Sequence, residues 1–140
     1  MPIRVVVIDD DADFLWLIRF SLQLEHDVTV IGEAEEGETG VALALQEQPD
    51  IVVMDLMMPR LDGFEATKRI KRSRSAVKVL VVTSLSVDNG VRQEMYRCGA
   101  DAFLGKRDIA TALVPMIRSL HKASVSPNSL PTSSRRGRGG

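Results

Sequence analysis

The chain has 140 residues, of which 44% are hydrophobic and 26% charged; this is the make-up of a soluble globular protein with a single core, and a second catalytic domain does not fit beside it. No apolar run reaches the length of about 18 residues that a membrane span needs. Met1-Pro2-Ile3-Arg4 leads straight into an apolar stretch rather than a secretory leader, so a cytoplasmic protein is expected.

Four of the 18 basic residues and none of the 19 acidic ones fall after residue 121, which gives an acidic body and a basic tail. That balance argues against direct DNA binding by the body. The one cysteine, Cys98, cannot form an internal disulfide, and no His/Cys cluster accompanies it, so zinc and redox chemistry are not expected.

In chain order, Ile3-Arg4-Val5-Val6-Val7-Ile8 reads as a strand buried on both faces, and it ends in acid, Asp9-Asp10-Asp11. Residues 12–25 read as a helix with Asp11 or Asp13 at its positive end and Phe14, Leu17 and Ile18 inward. Trp16 and Phe20 lie one turn apart off that register; core packing is favoured for them over an exposed aromatic patch. Residues 28–31 form a second strand, and 37–48 a helix with Val41, Ala42 and Leu45 as its apolar stripe.

After the breaker pair Pro49-Asp50, Ile51-Val52-Val53-Met54 runs directly into Asp55, a third buried strand with a carboxylate at its carboxyl end. Residues 63–72 read as a helix with Phe64, Thr67 and Ile70 inward, and 77–83 as a fourth strand ending in Thr83. Asp88 or Asn89 opens a helix that closes at Cys98-Gly99, and 100–104 form a short fifth strand followed by Gly105-Lys106. Asp108 caps a last helix built on Ile109, Leu113, Met116 or Ile117, and Leu120, with a kink or an early end predicted at Pro115. Residues 1–121 are therefore read as the folded domain, and 122–140 as a Ser/Pro/Arg/Gly tail or truncated linker.

Strands alternating with helices across short connections predict an α/β fold: a parallel five-stranded sheet covered on both sides, flavodoxin-like, in the order 2-1-3-4-5. Its switch point lies between strands 1 and 3, which brings Asp9 and Asp10 up to Asp55. Converging carboxylates repel one another unless protonated or neutralised. Oxygen ligands without His or Cys point to Mg²⁺, or Mn²⁺ in its place. Thr83 supplies a hydroxyl and Lys106 an ammonium at neighbouring strand ends, and together with a cation these complete a site for a phosphoryl group on Asp55.

Four stretches, Val7-Ile8-Asp9-Asp10, Asp55-Leu56-Met57-Met58-Pro59 with Leu61-Asp62-Gly63, Val82-Thr83-Ser84, and Gly99-Ala100-Asp101-Ala102-Phe103-Leu104-Gly105-Lys106, stand in order at strand ends. Through them residues 3–120 resemble the receiver domain of two-component response regulators, nearest over 99–108 to receivers of helix-turn-helix transcription regulators. The resemblance implies that Asp55 accepts a phosphoryl group from a histidine kinase or a histidine phosphotransfer protein. It implies that Asp10 binds Mg²⁺ directly, Asp9 chiefly through water, and Met57 through its backbone carbonyl. Thr83 and Phe103 would be the switch pair, and the first helix would meet the phosphodonor.

Such a protein catalyses only its own phosphorylation and dephosphorylation. Its output would leave by the face of helix 4, strand 5 and helix 5, toward a partner protein, a missing effector domain or a phosphorylation-dependent homodimer. The 19 residues after 121 are too few for a DNA-binding effector. Arg107 stands where many receivers have proline, so a cis peptide is not expected there.

Three rival readings fit the residues less well. A Mg²⁺-dependent hydrolase of the haloacid-dehalogenase kind needs an acid two residues after the nucleophile, where this chain has Met57. A flavodoxin-like cofactor binder needs a phosphate loop where Asp9-Asp10-Asp11 stands. A docking module that is never phosphorylated has no need of the acids, the hydroxyl and the lysine together.

Overall fold

A computed structural model of the chain describes residues 1–125. The elements are β1 (Ile3–Ile8), α1 (Ala12–Gln23), β2 (Val28–Ala34), α2 (Gly37–Glu47), β3 (Ile51–Asp55), α3 (Gly63–Ser73), β4 (Lys78–Thr83), α4 (Asn89–Cys98), β5 (Ala102–Gly105), a 3₁₀ turn (Lys106–Asp108) and α5 (Ile109–Val125). All four strand pairs are parallel, in the predicted order β2-β1-β3-β4-β5.

Alternation along the central strands divides the core in two. Val5, Val7, Ile51, Val53, Leu80 and Val82 face α1 and α5, where Ile18, Leu22, Leu113 and Ile117 are fully buried. Val6, Ile8, Val52, Met54, Val79 and Val81 face α2, α3 and α4. Because both faces are covered, the strands are apolar throughout rather than alternating, which is why they are so easily seen in the sequence.

Several boundaries and faces differ from expectation. β2 continues past residue 31 to Ala34, with a register shift between Val5 and Val6 that sets Val6 beside Gly32 instead of Ile31. β5 begins at Ala102, not residue 100: the Ala100 N–H is held by the Met95 carbonyl at the end of α4, and the Asp101 carboxylate takes the Val79 backbone N–H at 2.8 Å and Lys71 Nζ at 2.9 Å. In α2, Ala42 is exposed; Gly37, Gly40, Val41 and Ala44 are buried. A Cβ on Gly40 would sit 2.6 Å from Ile8 Cγ2, so the helix rests on β1 through that glycine and turns residue 42 outward.

α1 ends at Gln23, two residues before the predicted stop. Its buried face is Phe14, Leu15, Ile18 and Leu22, and Leu17 is exposed. Core packing of the aromatic pair is overturned: Trp16 and Phe20 are 55% and 44% exposed and stack on each other with ring centroids 5.2 Å apart.

The early end at Pro115 does not occur either, since α5 runs through it to Val125 and so past the domain boundary placed at 121. Pro115 and Thr111, whose carbonyl loses its helical partner, are both on the exposed side. Arg118 ties α5 to the turn before β2, with Nε 2.9 Å from Asp27 Oδ2 and Nη2 2.7 Å from Glu25 Oε1. The remainder of the predicted tail lies outside the described residues.

Candidate functional site

Ile8 pairs with Met54, so the chain leaves β1 into Asp9 at the same end at which β3 closes with Asp55. One carboxylate oxygen each of Asp9, Asp10 and Asp55 lies within 4.8 Å of the others. Asp9 and Asp55 are buried and Asp10 is exposed. The acid run divides its work: the Asp11 N–H donates to Asp9 Oδ1 at 2.8 Å, while the Asp11 carboxylate caps α1 by accepting from the Asp13 and Phe14 N–H groups.

β5 delivers the cation. Gly105 pairs with Thr83, and the next residue, Lys106, places Nζ 2.9 Å from Asp9 Oδ2 and 3.6 Å from Asp55 Oδ1. The ammonium also lies 4.2 Å from the centre of the Phe14 ring, a contact that holds the long side chain over the lip of the sheet. Thr83 is buried, and its Oγ1 accepts the Leu85 N–H at 3.0 Å, which leaves the hydroxyl proton free to donate.

Val81 pairs with Phe103, so the two proposed switch residues share one face of the sheet. The ring is half-buried, with the Arg92 guanidinium 5.1 Å from its centre.

Burial and then the neighbouring Asp9 charge push the Asp55 carboxyl up to about 6, against the pull of Lys106 and the Met57 backbone N–H. Asp9 is also raised, by burial first. For Lys106, burial works toward a lower value but is outweighed by the Asp9 hydrogen bond and the Asp55 and Asp9 charges, and the net shift is upward.

One ammonium against three close carboxylates leaves negative charge uncompensated in a largely desolvated place. That excess, with donors that are all oxygen, fits a hard divalent cation. Asp9, Asp10 and Asp55 are thus brought together as expected, with Lys106 among them. Of Met57, the structure gives an exposed side chain (59%) and a backbone N–H directed at Asp55.

Sequence reasoning missed two partners. Phe14 was read only as core, although its place one turn into α1 sets it under Lys106. Arg92 over Phe103 had no signal, because a surface arginine in a helix is ordinary by itself. Two of the basic residues of α3 are paired with acids, Arg69 with Glu38 at 2.5 Å and Lys71 with Asp101 at 2.9 Å. Cys98 is buried at the end of α4, its Sγ 3.1 Å from the Met95 carbonyl.

A family model described as the response regulator receiver domain matches residues 5–118. The transcriptional regulatory protein LiaR of Bacillus subtilis is 39% identical over 120 residues, which cover 86% of this chain and 56% of LiaR. The chain therefore spans about half the length of this curated relative.

Among solved structures, the response regulator domain of Thermotoga maritima CheB superposes with a TM-score of 0.81 at 31% identity, covering 91% of this chain and all of that one. The Mg²⁺ complex of the receiver domain of the Arabidopsis thaliana histidine kinase CKI1 gives 0.72 at 25% identity, covering 84% and 90%. Among the described residues no helix is long and apolar enough to cross a membrane. With its sheet order, its acidic lip and its matches over nearly the whole described length, the chain belongs to the response regulator receiver domain family.

Proposed function

We propose that the chain receives a phosphoryl group on Asp55 from the phosphohistidine of a histidine kinase or a histidine phosphotransfer protein, and passes the signal through the face of α4, β5 and α5. The observation that carries this reading is the meeting of Asp9, Asp10 and Asp55 with Lys106 at a single lip.

An Asp55 carboxylate oxygen forms the new bond to phosphorus as the P–N bond breaks, its electron pair going to the imidazole nitrogen. Lys106, held between Asp9 and Asp55, stands ready to neutralise the oxygens of the incoming group. Thr83 donates its free proton to one of them. Asp9, Asp10 and Asp55, with the Met57 carbonyl, would hold Mg²⁺, or Mn²⁺ in its place; when bound, the ion supplies charge neutralisation for the phosphoryl oxygens.

The new charge biases a two-state equilibrium in which Thr83 moves toward the phosphoryl group and Phe103 turns inward. The exposed Trp16 and Phe20 stack on α1, the helix that follows Asp9-Asp10-Asp11 in the chain, offers an apolar contact for the phosphodonor. Output passes to a partner protein, to an effector domain beyond this chain, or to a homodimer formed on phosphorylation. The hydrolase alternative is disfavoured because Met57, the residue that would have to be its acid, carries a thioether.

Incubation with Mg²⁺ and acetyl or carbamoyl phosphate is expected to add one phosphoryl group to the intact mass of the protein, with a shift of size-exclusion volume toward a dimer. Asp55→Ala is expected to gain none. An Asp55→Ala protein that is labelled as fast as the parent would overturn the reading.

Met57 and Leu85, two residues past Asp55 and Thr83, are both exposed and apolar, so neither positions a hydrolytic water. The aspartyl phosphate is therefore expected to be long-lived, and Met57→Asn with Leu85→Glu to shorten its life about tenfold. An unchanged lifetime in a dephosphorylation assay would count against this.

A further inference from the structure

A cleft of about 490 Å³ opens between the β4–α4 and β5–α5 connections, and Thr83, Ser84, Ser86, Lys106, Arg107 and Asp108 are among the residues on its walls. It adjoins Asp55 but is distinct from the carboxylate cluster: its contribution is mostly hydrogen-bond donors. The size suits a small molecule.

Two cations line this cleft, and they differ in what they are free to do. Lys106 is engaged with Asp9 and Asp55, where it faces the transferred phosphoryl group itself. Arg107, the next residue, is exposed and makes no ion pair among the described residues; Arg72, Arg74 and Arg92 make none either, but of the four only Arg107 lines this cleft. Asp108 is near: a Cβ on Gly105 would lie 3.4 Å from Asp108 Oδ2 and 3.9 Å from Arg107 Cγ. Even so, the two charged groups are not in ion-pair contact.

An anion approaching Asp55 meets three clustered carboxylates with one shared ammonium, a repulsive field. A divalent cation at the carboxylates would reduce that field, and Arg107 on the wall of the adjoining cleft adds a further positive charge on the donor's side. A guanidinium forks onto phosphate or carboxylate oxygens, and nearby seryl hydroxyls add donors.

We infer that Arg107 and this cleft form a docking subsite for small anionic acyl phosphates, and that Arg107 sets the preference of Asp55 for such donors over less negatively charged ones. The inference rests on Asp55 being the phosphoacceptor. The transfer balances without a further reactant: an Asp55 oxygen bonds phosphorus, the bond from phosphorus to the acetate oxygen breaks, and acetate leaves with the electron pair. Arg107 binds and orients the donor without contributing to that exchange of bonds.

The test uses the whole 140-residue protein with Mg²⁺ and compares acetyl phosphate, a dianion at neutral pH, with phosphoramidate, whose ammonium offsets one of its charges. In Arg107→Gln the ratio of acetyl phosphate to phosphoramidate labelling rates is expected to fall about fivefold or more, chiefly as a higher half-saturating concentration of acetyl phosphate. The salt dependence of the acetyl phosphate rate should flatten, and Arg107→Lys should restore much of the ratio.

An unchanged ratio and salt dependence in Arg107→Gln, with the parent protein labelled normally, would overturn the subsite alone. Failure of acetyl phosphate to label the parent protein would overturn the subsite, whereas labelling that persists in Asp55→Ala would remove Asp55 as acceptor and the subsite with it. A melting temperature for each variant separates loss of fold from loss of donor binding.

Discussion

Gly63→Ala should destabilise the domain by about 3 kcal/mol or more and slow the labelling of Asp55 in whatever folded protein remains. An added Cβ would lie 2.2 Å from the Asp55 carbonyl oxygen, 2.7 Å from Leu56 Cα and 2.9 Å from the Asp55 carbonyl carbon. All three are backbone atoms, so no side chain can swing aside. The Gly63 N–H also donates to the Leu56 carbonyl at 3.0 Å, pinning the start of α3 against the end of β3. Relief therefore has to come from moving α3 or the strand end that carries Asp55.

Gly90→Ala is the control, because a Cβ there would meet only Asp88 Oδ1, at 3.4 Å. In α4 that exchange should be neutral or stabilising, by up to about 1 kcal/mol. Urea denaturation read by circular dichroism, beside the intact-mass labelling assay, checks both variants. A Gly63→Ala protein with the midpoint of the parent would refute the close approach.

Asp55→Asn should be more stable than the parent near pH 7.5 in the presence of a chelator, by about 1 to 3 kcal/mol. The sign follows from the direction of the shift. Burial, with the Asp9 charge, raises the folded-state value of Asp55 from 3.8 to about 6. Between those values the folded state holds the proton more often than the unfolded state does, so stability falls as the pH rises through that window.

Asp9, also raised by burial, acts in the same direction. Lys106 does not: its raised value confers stability that is fully present below about 10.5 and is lost only as the pH rises through its still higher folded-state value. The parent should therefore lose stability between about pH 4 and pH 7 in a chelator, and Asp55→Asn should lose less. Mg²⁺ should restore stability to the parent and do little for the variant, since it binds only where the carboxylates are present. Urea midpoints across this pH range decide the matter; a variant less stable than the parent at neutral pH would show that Asp55 is not under strain.

Such strain is what a receptive site needs. The carboxylates are held together by the ends of separate parallel strands, and their mutual repulsion is only partly relieved by Lys106. In the proposed function a cation and then a phosphoryl group are the ligands that would offset it, at a place and under a tension that the fold supplies.

Most of this was legible from the chain alone, and the reason is burial on both faces. Strands such as Val5-Val6-Val7-Ile8 and Ile51-Val52-Val53-Met54 must be apolar without interruption, so the acids that close them, Asp9 and Asp55, mark the strand ends unmistakably. Short connections between alternating strands and helices then leave few arrangements, and the order 2-1-3-4-5 puts those ends together. Lys106 was legible for the same reason, as the first cation after the last strand.

What only the tertiary structure decided concerns faces and partners. α1 is apolar nearly all round, with Phe14, Leu15, Trp16, Leu17, Ile18, Phe20 and Leu22, so periodicity offers two candidate faces and only the packing of sheet and α5 selects one, leaving Trp16, Leu17 and Phe20 outside. α2 turned Ala42 outward because Gly40 rests on Ile8, a contact between residues 32 positions apart in sequence. Lys106 over Phe14 and Arg92 over Phe103 are likewise meetings of distant elements. Local sequence reports how a segment alternates between apolar and polar, and so which element it forms and where that element stops. Which of several apolar faces is covered, and which charges find partners, depends on close approach between segments that no single stretch encodes.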